Sequence, residues 1–342
     1  MRHPGNRTVT EQAILDAAAT LEAGGLVAFP TETVYGLGAD AENPAAVASI
    51  YAAKGRPNDH PVIVHVAPGA DLDYWVSDIP DEARRLVAAF WPGPLTLILK
   101  RHAHIPDAVS GGQDTVGLRC PSHPVAMALL SAFKGGKGGV AAPSANKFGN
   151  VSPTTAQHVR DEFGDEAGIT VLDGGSSQVG IESTILDLSR LATHGPVLLR
   201  PGHISATQIA AVIGAMPVAP DASAPRASGT LESHYAPKAP VALVVTAQLD
   251  ALLNALADKG RRVALIHYSP LLTRAAAQHA LPEDPAGYAH GIYAALRAMD
   301  RTDAELILVE TPPQDDNWLG VNDRLRRSAY GSAGIVERFL QA

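Results

Sequence analysis

The chain has 342 residues, of which 46% are hydrophobic and 18% charged, a composition that is typical of a globular fold and excludes a disordered or fibrous chain. Its 27 Lys and Arg residues against 35 Asp and Glu residues give a net charge of −8, which disfavours a broad basic face for nucleic acid but leaves room for a local basic cleft. At about 150 residues per domain, the length predicts two domains.

Helical and strand patterns alternate along the first part of the chain. Thr8 and Glu11 have the spacing of a capping box, and Asn43 followed by Pro44 predicts the start of a helix that runs through Ala53. Several strands follow one another without a helix between them, which predicts a mixed sheet. The predicted strands are 26–29, 62–66, 95–99, 115–119, 140–143, 169–173, 183–188 and 196–200, and further helices are predicted near 81–90, 124–133, 155–163 and 205–213.

The stretch 214–239 is rich in Pro, Ala and Ser and has neither a helical nor a strand period, so we predict a linker. A structureless connection of this length is uncommon and often functional. An α/β rhythm with parallel-sheet character then restarts, with predicted strands at 241–245, 262–266 and 306–310 and helices from 249–259 and up to about 299. The predicted domains are therefore 1–213 and 240–342, joined by this linker.

The cellular location is predicted from sequence features that are missing. Cys120 is the single cysteine, so no internal disulfide can form. No stretch approaches the roughly 20 consecutive apolar residues that a membrane helix needs. The segment MRHPGNRTVTEQ has no apolar core of a signal peptide. We therefore expect a cytoplasmic protein that does not contact a membrane.

Common nucleotide and metal motifs do not explain the sequence. A G-x-G-x-x-A match at 136–141 precedes a predicted strand, whereas a dinucleotide loop follows a strand, so a surface turn is favoured. His102 and His104 could share a strand face, but no cluster of Cys, Asp or Glu accompanies them, and solvated loop histidines are favoured. Cys120 has no catalytic signature nearby, and we predict a small, half-buried residue at a strand end.

Polar side chains instead follow several predicted strands of the first domain. The segments PTETVYGLG (30–38) and PSAN (143–146) come directly after strands, and Arg200 ends another. Lys54 and Arg56 lie at a helix C-terminus, where, taken alone, they are best explained as complements of the helix dipole. Together, these hydroxyl, amide and cationic groups at strand ends predict a site for an anionic, phosphate-bearing ligand.

Eight motifs in this order carry a family resemblance: PTETVYGLG, KGRP, PVIVHV, the strand that ends in Arg119, PSAN followed by SPT, ESTI, LLRPG and HYAP. They resemble the YrdC-like family, specifically its long-form threonylcarbamoyl-AMP synthases, over the whole chain. The K-x-R and S-x-N pairs are the most specific part, and the GGKGG insertion is the main departure. The resemblance implies an α/β fold: a YrdC-like domain with a twisted mixed sheet flanked by helices, a linker that covers the active site, and a smaller Rossmann-like domain.

The resemblance also implies a nucleotidyltransferase that forms threonylcarbamoyl-adenylate and pyrophosphate from L-threonine, bicarbonate or CO₂, and ATP. Partner proteins would then use the adenylate to modify adenosine 37 of certain tRNAs, without stable binding of nucleic acid by this chain. Mg²⁺ is expected to bridge the phosphates. Its protein ligands are unknown, with Glu32 and Glu182 as candidates. Because a carbamate on the threonine amine is already a nucleophile, the protein need only orient it and neutralise charge.

By matching position, the resemblance implies that Lys54 and Arg56 contact the triphosphate and carry the catalytic role. The other residues implied for ATP are His60, Thr115, Asn146, Ser152, Arg200 and, in the linker, Tyr235. Those implied for threonine are Thr33, His65, Arg119, Ser144 and Ser183. The planar guanidinium of Arg119 suits the threonine carboxylate.

Two alternatives stay open at this point. An RNA-binding module without catalysis would fit a link to tRNA, but 5% aromatic residues, the net negative charge and the lack of an RNA-binding fingerprint count against it. Carbamoyl transfer from carbamoyl phosphate is the second, and the chain lacks the extra domains that this role would require. Consumption of ATP in the presence of threonine and bicarbonate distinguishes these classes.

Overall fold

A computed structural model describes residues 9–164, 167–273 and 275–341. It divides the chain into two compact units: the first comprises the residues up to Phe148 together with Ser152–Thr230, and the second comprises Gly149–Val151 and the residues from Leu231 onward. Among the described residues, no helix has the length and apolar character needed to cross a membrane.

The elements of the first unit follow the predicted alternation. Its helices are α1 (Glu11–Glu22), α2 (Pro44–Lys54), α3 (Asp81–Phe90), α4 (Asp107–Ser110), α5 (Pro124–Ala132), α6 (Ala156–Phe163), α7 (Leu191–His194) and α8 (Ala206–Ile213). Its strands are β1 (Val27–Phe29), β2 (Gly36–Asp40), β3 (Ile63–Val66), β4 (Leu95–Lys100), β5 (Thr115–Arg119), β6 (Gly139–Ala141), β7 (Thr170–Val171), β8 (Thr184–Asp187) and β9 (Val197–Arg200).

Local capping residues set the ends of the helices. The side chain of Asn43 accepts hydrogen bonds from the first turn of α2, and Gly55 ends that helix in the left-handed conformation at φ 64°. The predicted helix start at Asn43 is therefore confirmed. Thr10 caps α1, whereas Thr8, the predicted cap, lies outside the described residues.

The strands of the first unit form one mixed sheet in the order β7-β1-β2-β6-β3-β5-β4-β8-β9. The pairs β1–β7, β3–β5 and β4–β8 are parallel and the others antiparallel, which confirms the predicted mixed sheet. Strand β2 was not predicted, because its glycines are typical of turns. A Cβ on Gly38 would lie 2.8 Å from Phe29 and from Val140, so neighbouring side chains fill this space. The strand predicted over 169–173 forms only at Thr170–Val171.

The two faces of this sheet have different coverings, because side chains alternate between the faces along each strand. One face belongs to the main hydrophobic core together with residues of α2, α3 and α8. Its strand residues include Val64, Val66, Leu97, Leu99, Val116 and Leu118. The opposite face carries a smaller apolar cluster that includes Ile63, Ile98 and Ile185, and Ala224 and Ala227 pack on that cluster. Part of the predicted linker therefore lies on this second face.

We call residues 216–230 the strap, since they run along the first unit without forming a helix. Val218 forms a parallel bridge with Val197 at the edge of the sheet. Further along, the backbone of Arg226 exchanges two hydrogen bonds with the side chain of Gln113, at 2.7 and 3.1 Å. Hydrogen bonds to several separate elements hold the strap, which is why its sequence shows no period.

The second unit has a parallel sheet in the order β10-β13-β11-β12. Its elements are β10 (Val241–Val244), α9 (Thr246–Asp258), β11 (Val263–His267), β12 (Ala277–Ala280), α10 (Pro285–Asp300), β13 (Leu306–Glu310), α11 (Leu319–Ser328) and α12 (Ile335–Gln341). The predicted parallel α/β character is confirmed. The prediction of helix over 277–280 is wrong, because this short edge strand has two polar residues between two alanines and lacks the apolar run of a buried strand.

Candidate active site

Several predicted site residues lie on the strap-bearing face of the first sheet as well as at strand ends. Strands β3 and β5 pair with Ile63 opposite Gly117 and His65 opposite Arg119. The alternation of side chains puts all four positions on one face. Gly117, at the centre of these four positions, has no side chain. A Cβ on Gly117 would lie 3.0 Å from Cδ1 of Ile98. The face therefore offers a shallow surface bordered by polar groups.

Lys54 connects the two most specific motifs of the sequence. It is the last residue of α2 and is 3% exposed, and its Nζ donates hydrogen bonds of 2.5 Å to the carbonyl oxygens of Ser144 and Asn146. The helix-dipole interpretation does not account for this, because the bonds reach the PSAN segment. Burial and the nearby charge of Arg56 hold the pKa of Lys54 well below its usual range. A bound anion would favour the charged form.

Besides Lys54, two predicted cationic residues, Arg56 and Arg200, lie close to each other. Arg56 Nη2 donates to the carbonyl oxygen of Pro61 at 2.7 Å. Arg200 donates from Nε to the carbonyl oxygen of Ser183 at 3.0 Å and from Nη2 to its Oγ at 3.2 Å. Both guanidinium groups also contact Ser228 of the strap. Ser228 could not be predicted as a site residue, because one serine in a Pro, Ala and Ser-rich stretch carries no signal.

His60 and Ser152 lie in different surroundings. The His60 ring packs edge-on against Phe148 with 5.6 Å between ring centroids, and burial followed by the charge of Arg56 lowers the pKa of His60. Ser152 Oγ donates a 2.5 Å hydrogen bond to Oε1 of Glu182. The hydrogen bond between Ser152 and Glu182 brings the SPT and ESTI motifs together.

Thr115 lies apart from the cationic groups described above, at the start of β5. It pairs with Lys100 of β4 and lines a polar cavity of about 430 Å³. The same cavity is lined by Arg190, which follows strand β8, and by Ser223 of the strap. Thr115 and Arg119 are therefore at opposite ends of one strand, with their side chains on the same face.

Arg119 is held by residues of the PTETVYGLG segment. Its Nη1 donates to Thr33 Oγ1 at 2.9 Å, its Nη2 lies 2.5 Å from Glu32 Oε1, and its Nε donates to the carbonyl oxygen of Gly93 at 3.3 Å. These bonds use three of its five N–H groups and leave one on each terminal nitrogen. Glu32, which the sequence marks as a polar residue at a strand end and as a candidate metal ligand, is thus the partner of Arg119.

His65 and Ser183 lie among buried groups on this face. His65 is 3% exposed, and its Nδ1 has no hydrogen-bond partner among the residues that the structure describes. Burial, and then the charge of Arg119, lower the pKa of His65 to about 3, so its ring is neutral at physiological pH. Ser183 Oγ lies 2.7 Å from Oγ1 of Thr96, which was not among the predicted site residues. Alternation in the strand LTLIL puts Thr96 on the same face as Ile98.

Tyr235 belongs to the second unit, where it is packed. It is 1% exposed, and its ring lies 5.6 Å from the Tyr293 ring centroid and 5.7 Å from Cζ of Arg324. Its φ of 59° is unusual for a residue with a side chain. Ser328 Oγ donates to the Tyr235 carbonyl oxygen at 2.7 Å. The predicted contact of Tyr235 with the nucleotide stays a prediction.

No group of three His, Cys, Asp or Glu residues within the described ranges is arranged to hold a metal ion. Glu32 accepts hydrogen bonds from Arg119 and from the Ser122 backbone, and Glu182 accepts one from Ser152. These two candidate carboxylates are therefore already engaged, and their donor set does not form a magnesium site.

The minor motifs are structural. The turn after α5 precedes strand β6, as predicted for the glycine-rich segment. His102 and His104 contact each other, with 2.9 Å between their Nδ1 atoms. Cys120, predicted to be half-buried, is fully buried, and burial raises the pKa of its thiol to about 11.

Comparison with known proteins identifies the family. The Sua5, YciO and YrdC family model, described as Telomere recombination, matches residues 19–202. The chain belongs to the Sua5/YciO/YrdC family. A second family model, described as Threonylcarbamoyl-AMP synthase, C-terminal domain, matches residues 204–330. The chain is therefore a long-form member of the Sua5/YciO/YrdC family, as the motif order predicted.

Relatives of nearly full length support this assignment. Proteins named threonylcarbamoyl-AMP synthase are 38% identical over 332 residues in Pyrococcus abyssi and 40% identical over 344 residues in Bacillus subtilis. The alignments cover 94% of this chain and 95% of the first relative, and 95% of both chains for the second. The crystal structure of P. abyssi Sua5 complexed with L-threonine matches with a TM-score of 0.86 and 37% identity, over 94% of this chain and 95% of that one. The predicted two-domain α/β fold is confirmed.

Proposed function

We propose that this chain is an enzyme that forms threonylcarbamoyl-AMP and pyrophosphate from L-threonine, bicarbonate or CO₂, and ATP. The observation that carries the proposal is the contact between Arg200 and Ser183, at 3.2 Å between Nη2 and Oγ. By family resemblance, Arg200 belongs to the ATP residues and Ser183 to the threonine residues. Their direct hydrogen bond supports two substrate sites that meet on one face of the sheet. The similarity to full-length relatives named for this reaction supports it independently.

The ATP part of the proposal assigns charge neutralisation to Lys54, Arg56 and Arg200. The hydrogen bonds of Lys54 use two of its three N–H groups, which leaves one for a phosphate oxygen. Charged donors that are already positioned in a water-poor site stabilise the charge that develops during phosphoryl transfer. Asn146, Ser152, His60 and Thr115 complete the proposed ATP residues.

The threonine part assigns the substrate carboxylate to Arg119, whose two remaining N–H groups are on separate terminal nitrogens. Thr33, Ser144 and Ser183 complete the proposed threonine residues. Neutral His65 has a buried Nδ1 atom that can accept a hydrogen bond from the substrate amine. Such an acceptor orients the amine for carbamate formation without holding a charge of its own.

The proposed reaction follows from this arrangement. The neutral amine of threonine forms a C–N bond with CO₂ and releases a proton to solvent, or it forms this bond with bicarbonate and releases water; both routes give the carbamate. An oxygen of the resulting carbamate attacks the α-phosphorus of ATP, and the bond from this phosphorus to the bridging oxygen breaks. Pyrophosphate leaves, and threonylcarbamoyl-AMP remains. The cationic groups hold the phosphates, so no paired carboxylates or nucleophilic relay are needed.

Mg²⁺ is proposed to arrive with ATP, coordinated by phosphate oxygens and water. The engaged carboxylates of Glu32 and Glu182 give no reason to assign it protein ligands. We further propose that residues 1–213 form the catalytic domain, residues 214–239 the linker that covers the site with Tyr235, and residues 240–342 the C-terminal domain. Cytoplasmic partner proteins would transfer the threonylcarbamoyl group to adenosine 37 of tRNA, without stable binding of nucleic acid by this chain.

The deciding experiment is pyrophosphate release by the purified chain with ATP, L-threonine and bicarbonate, each omitted in turn. Release that needs all three supports the proposal. Binding of tRNA without any consumption of ATP would support the RNA-binding alternative. Release with carbamoyl phosphate in place of threonine and bicarbonate would support carbamoyl transfer.

A further inference from the structure

Ser228 of the strap contacts both arginines of the proposed phosphate site. Its Oγ accepts a hydrogen bond from Arg56 Nη2 at 3.4 Å, and its carbonyl oxygen accepts one from Arg200 Nη1 at 2.8 Å. Arg56 follows helix α2 and Arg200 ends strand β9, so the two side chains come from distant parts of the chain. One residue of the strap therefore connects two cationic groups that the sequence separates.

The hydroxyl group of Ser228 also fixes the strap at this point. Ser228 Oγ donates to the carbonyl oxygen of Pro61 at 2.9 Å, and the same oxygen accepts the 2.7 Å hydrogen bond from Arg56. Ser228, Pro61 and Arg56 thus form a closed set of hydrogen bonds. Because the hydroxyl holds Ser228 against Pro61, the position of the Ser228 carbonyl oxygen, and its bond to Arg200, depend on the hydroxyl as well.

Two guanidinium groups on one face repel each other, and in water their side chains would separate. Acceptors between them reduce this cost and select one arrangement, since hydrogen bonds to charged donors are stronger than neutral ones. The packing of Ala224 and Ala227 on the apolar cluster of the sheet anchors the strap next to Ser228. The strap therefore helps to fix the positions of the two arginine side chains.

We propose that Ser228 is a positioning residue, which holds Arg56 and Arg200 in the arrangement that binds the triphosphate of ATP. The identity of the ligand rests on the proposed function. Ser228 acts through the two arginines and need not touch the nucleotide. The strap thereby contributes to ATP affinity from a segment that the sequence predicts only as a linker.

The test compares Ser228→Ala with Thr230→Ala in the full chain, with dissociation constants for ATP and for L-threonine measured separately by calorimetry. Thr230 is the control, because it lies in the same strap and its Oγ1 donates within the strap, to the carbonyl oxygen of Ala227 at 2.9 Å. We expect Ser228→Ala to raise the Kd for ATP at least about tenfold, as for loss of a hydrogen bond to a charged group. The Kd for L-threonine and the Tm should stay near wild type, Thr230→Ala should change none of them, and Ser228→Thr should restore ATP affinity.

Three results would overturn the inference: an unchanged Kd for ATP in Ser228→Ala, an equal loss of affinity for ATP and L-threonine, or tighter ATP binding. The last would mean that the strap competes with phosphate for the arginines. A wild-type chain that binds ATP but releases no pyrophosphate contradicts the proposed reaction and leaves this test readable, because the test measures binding. A wild-type chain that does not bind ATP overturns both.

Discussion

Glu32 and Arg119 form a buried ion pair in the first unit, with 2.5 Å between Oε1 and Nη2 and each side chain 4% exposed. The second carboxylate oxygen of Glu32 accepts a hydrogen bond of 2.9 Å from the backbone of Ser122. The carboxylate is therefore held from two sides, and it holds the guanidinium in turn. If Arg119 binds threonine as proposed, its orientation is set before the substrate arrives, which lowers the ordering cost of binding.

We expect Glu32→Gln to lower the free energy of unfolding by about 3 kcal/mol, because it leaves Arg119 charged in a buried place without its partner. Glu42→Gln is the control, since Glu42 pairs with Lys134 at the surface and its loss should cost about 1 kcal/mol or less. Urea unfolding of both variants measures the difference. Equal losses would contradict a special role for the buried pair.

Arg119→Lys tests recognition of threonine. Lysine keeps the charge but cannot form the planar set of bonds that Arg119 makes with Thr33 and Glu32 and is proposed to make with the substrate carboxylate. We expect the Kd for L-threonine to rise at least about tenfold and the Kd for ATP to stay near wild type. Calorimetric titration with each ligand checks this. An equal loss for both ligands would show that Arg119 serves the nucleotide or the fold.

Lys54→Ala and Arg56→Ala should both nearly abolish pyrophosphate release, but they should differ in stability. From the sequence alone, little change in stability is expected for either, since both follow a helix end. The burial of Lys54 alters this expectation: Lys54→Ala removes the donor of two carbonyl oxygens and should cost about 1–3 kcal/mol of unfolding free energy. Arg56→Ala should cost less, because Pro61 keeps its bond from Ser228. Activity that survives a collapse in Tm would favour the helix-dipole alternative for these residues.

The free energy of unfolding should decrease as the pH decreases, because the buried imidazole of His65 is neutral in the folded chain. Its pKa is about 3 in the folded chain and about 6.5 when unfolded, so between these values the unfolded state binds the extra proton. Stability is therefore fully present above the unfolded pKa and is lost as the pH falls toward 3. From pH 6.5 to 5, we expect wild type to lose about 1.5 kcal/mol more than His65→Gln.

The control for this pH test is His104→Gln, which replaces an exposed imidazole. Denaturant unfolding at pH 6.5, 6.0, 5.5 and 5.0 gives the comparison. If His65→Gln shows the same pH dependence as wild type, His65 is not a buried neutral residue.

ATP together with threonine should protect the linker from limited trypsin digestion at Arg226, which is exposed. The expected reason is that a closed linker excludes water and protease from the site. Tyr235→Ala should remove this protection and speed release or hydrolysis of the adenylate, whereas Tyr235→Phe, which keeps the ring, should retain protection. Cleavage at one rate with and without both ligands would reduce the linker to a spacer.

Much of the fold could be predicted, and several residues of the proposed site could be named, because their signals are local. Asn43 and Gly55 begin and end helix α2 through hydrogen bonds to residues two to four positions away. Both partners of each bond therefore lie in the same short stretch of sequence. The order of the short motifs identified the family because each motif is a run of neighbouring residues. Each motif segment is a run of three to nine consecutive residues, and the polar residues after strands indicated the proposed anion site.

Tertiary structure alone decided which of these residues meet. The sequence contains Glu32 and Arg119, but their pairing depends on how β1 and β5 are placed in the sheet. Strand β2 escaped prediction because its glycines look like a turn until Phe29 and Val140 fill the space beside them. The strap escaped because bonds to separate elements leave no period in its sequence, and so the contact of Ser228 with Arg56 and Arg200 exists only once the chain has folded.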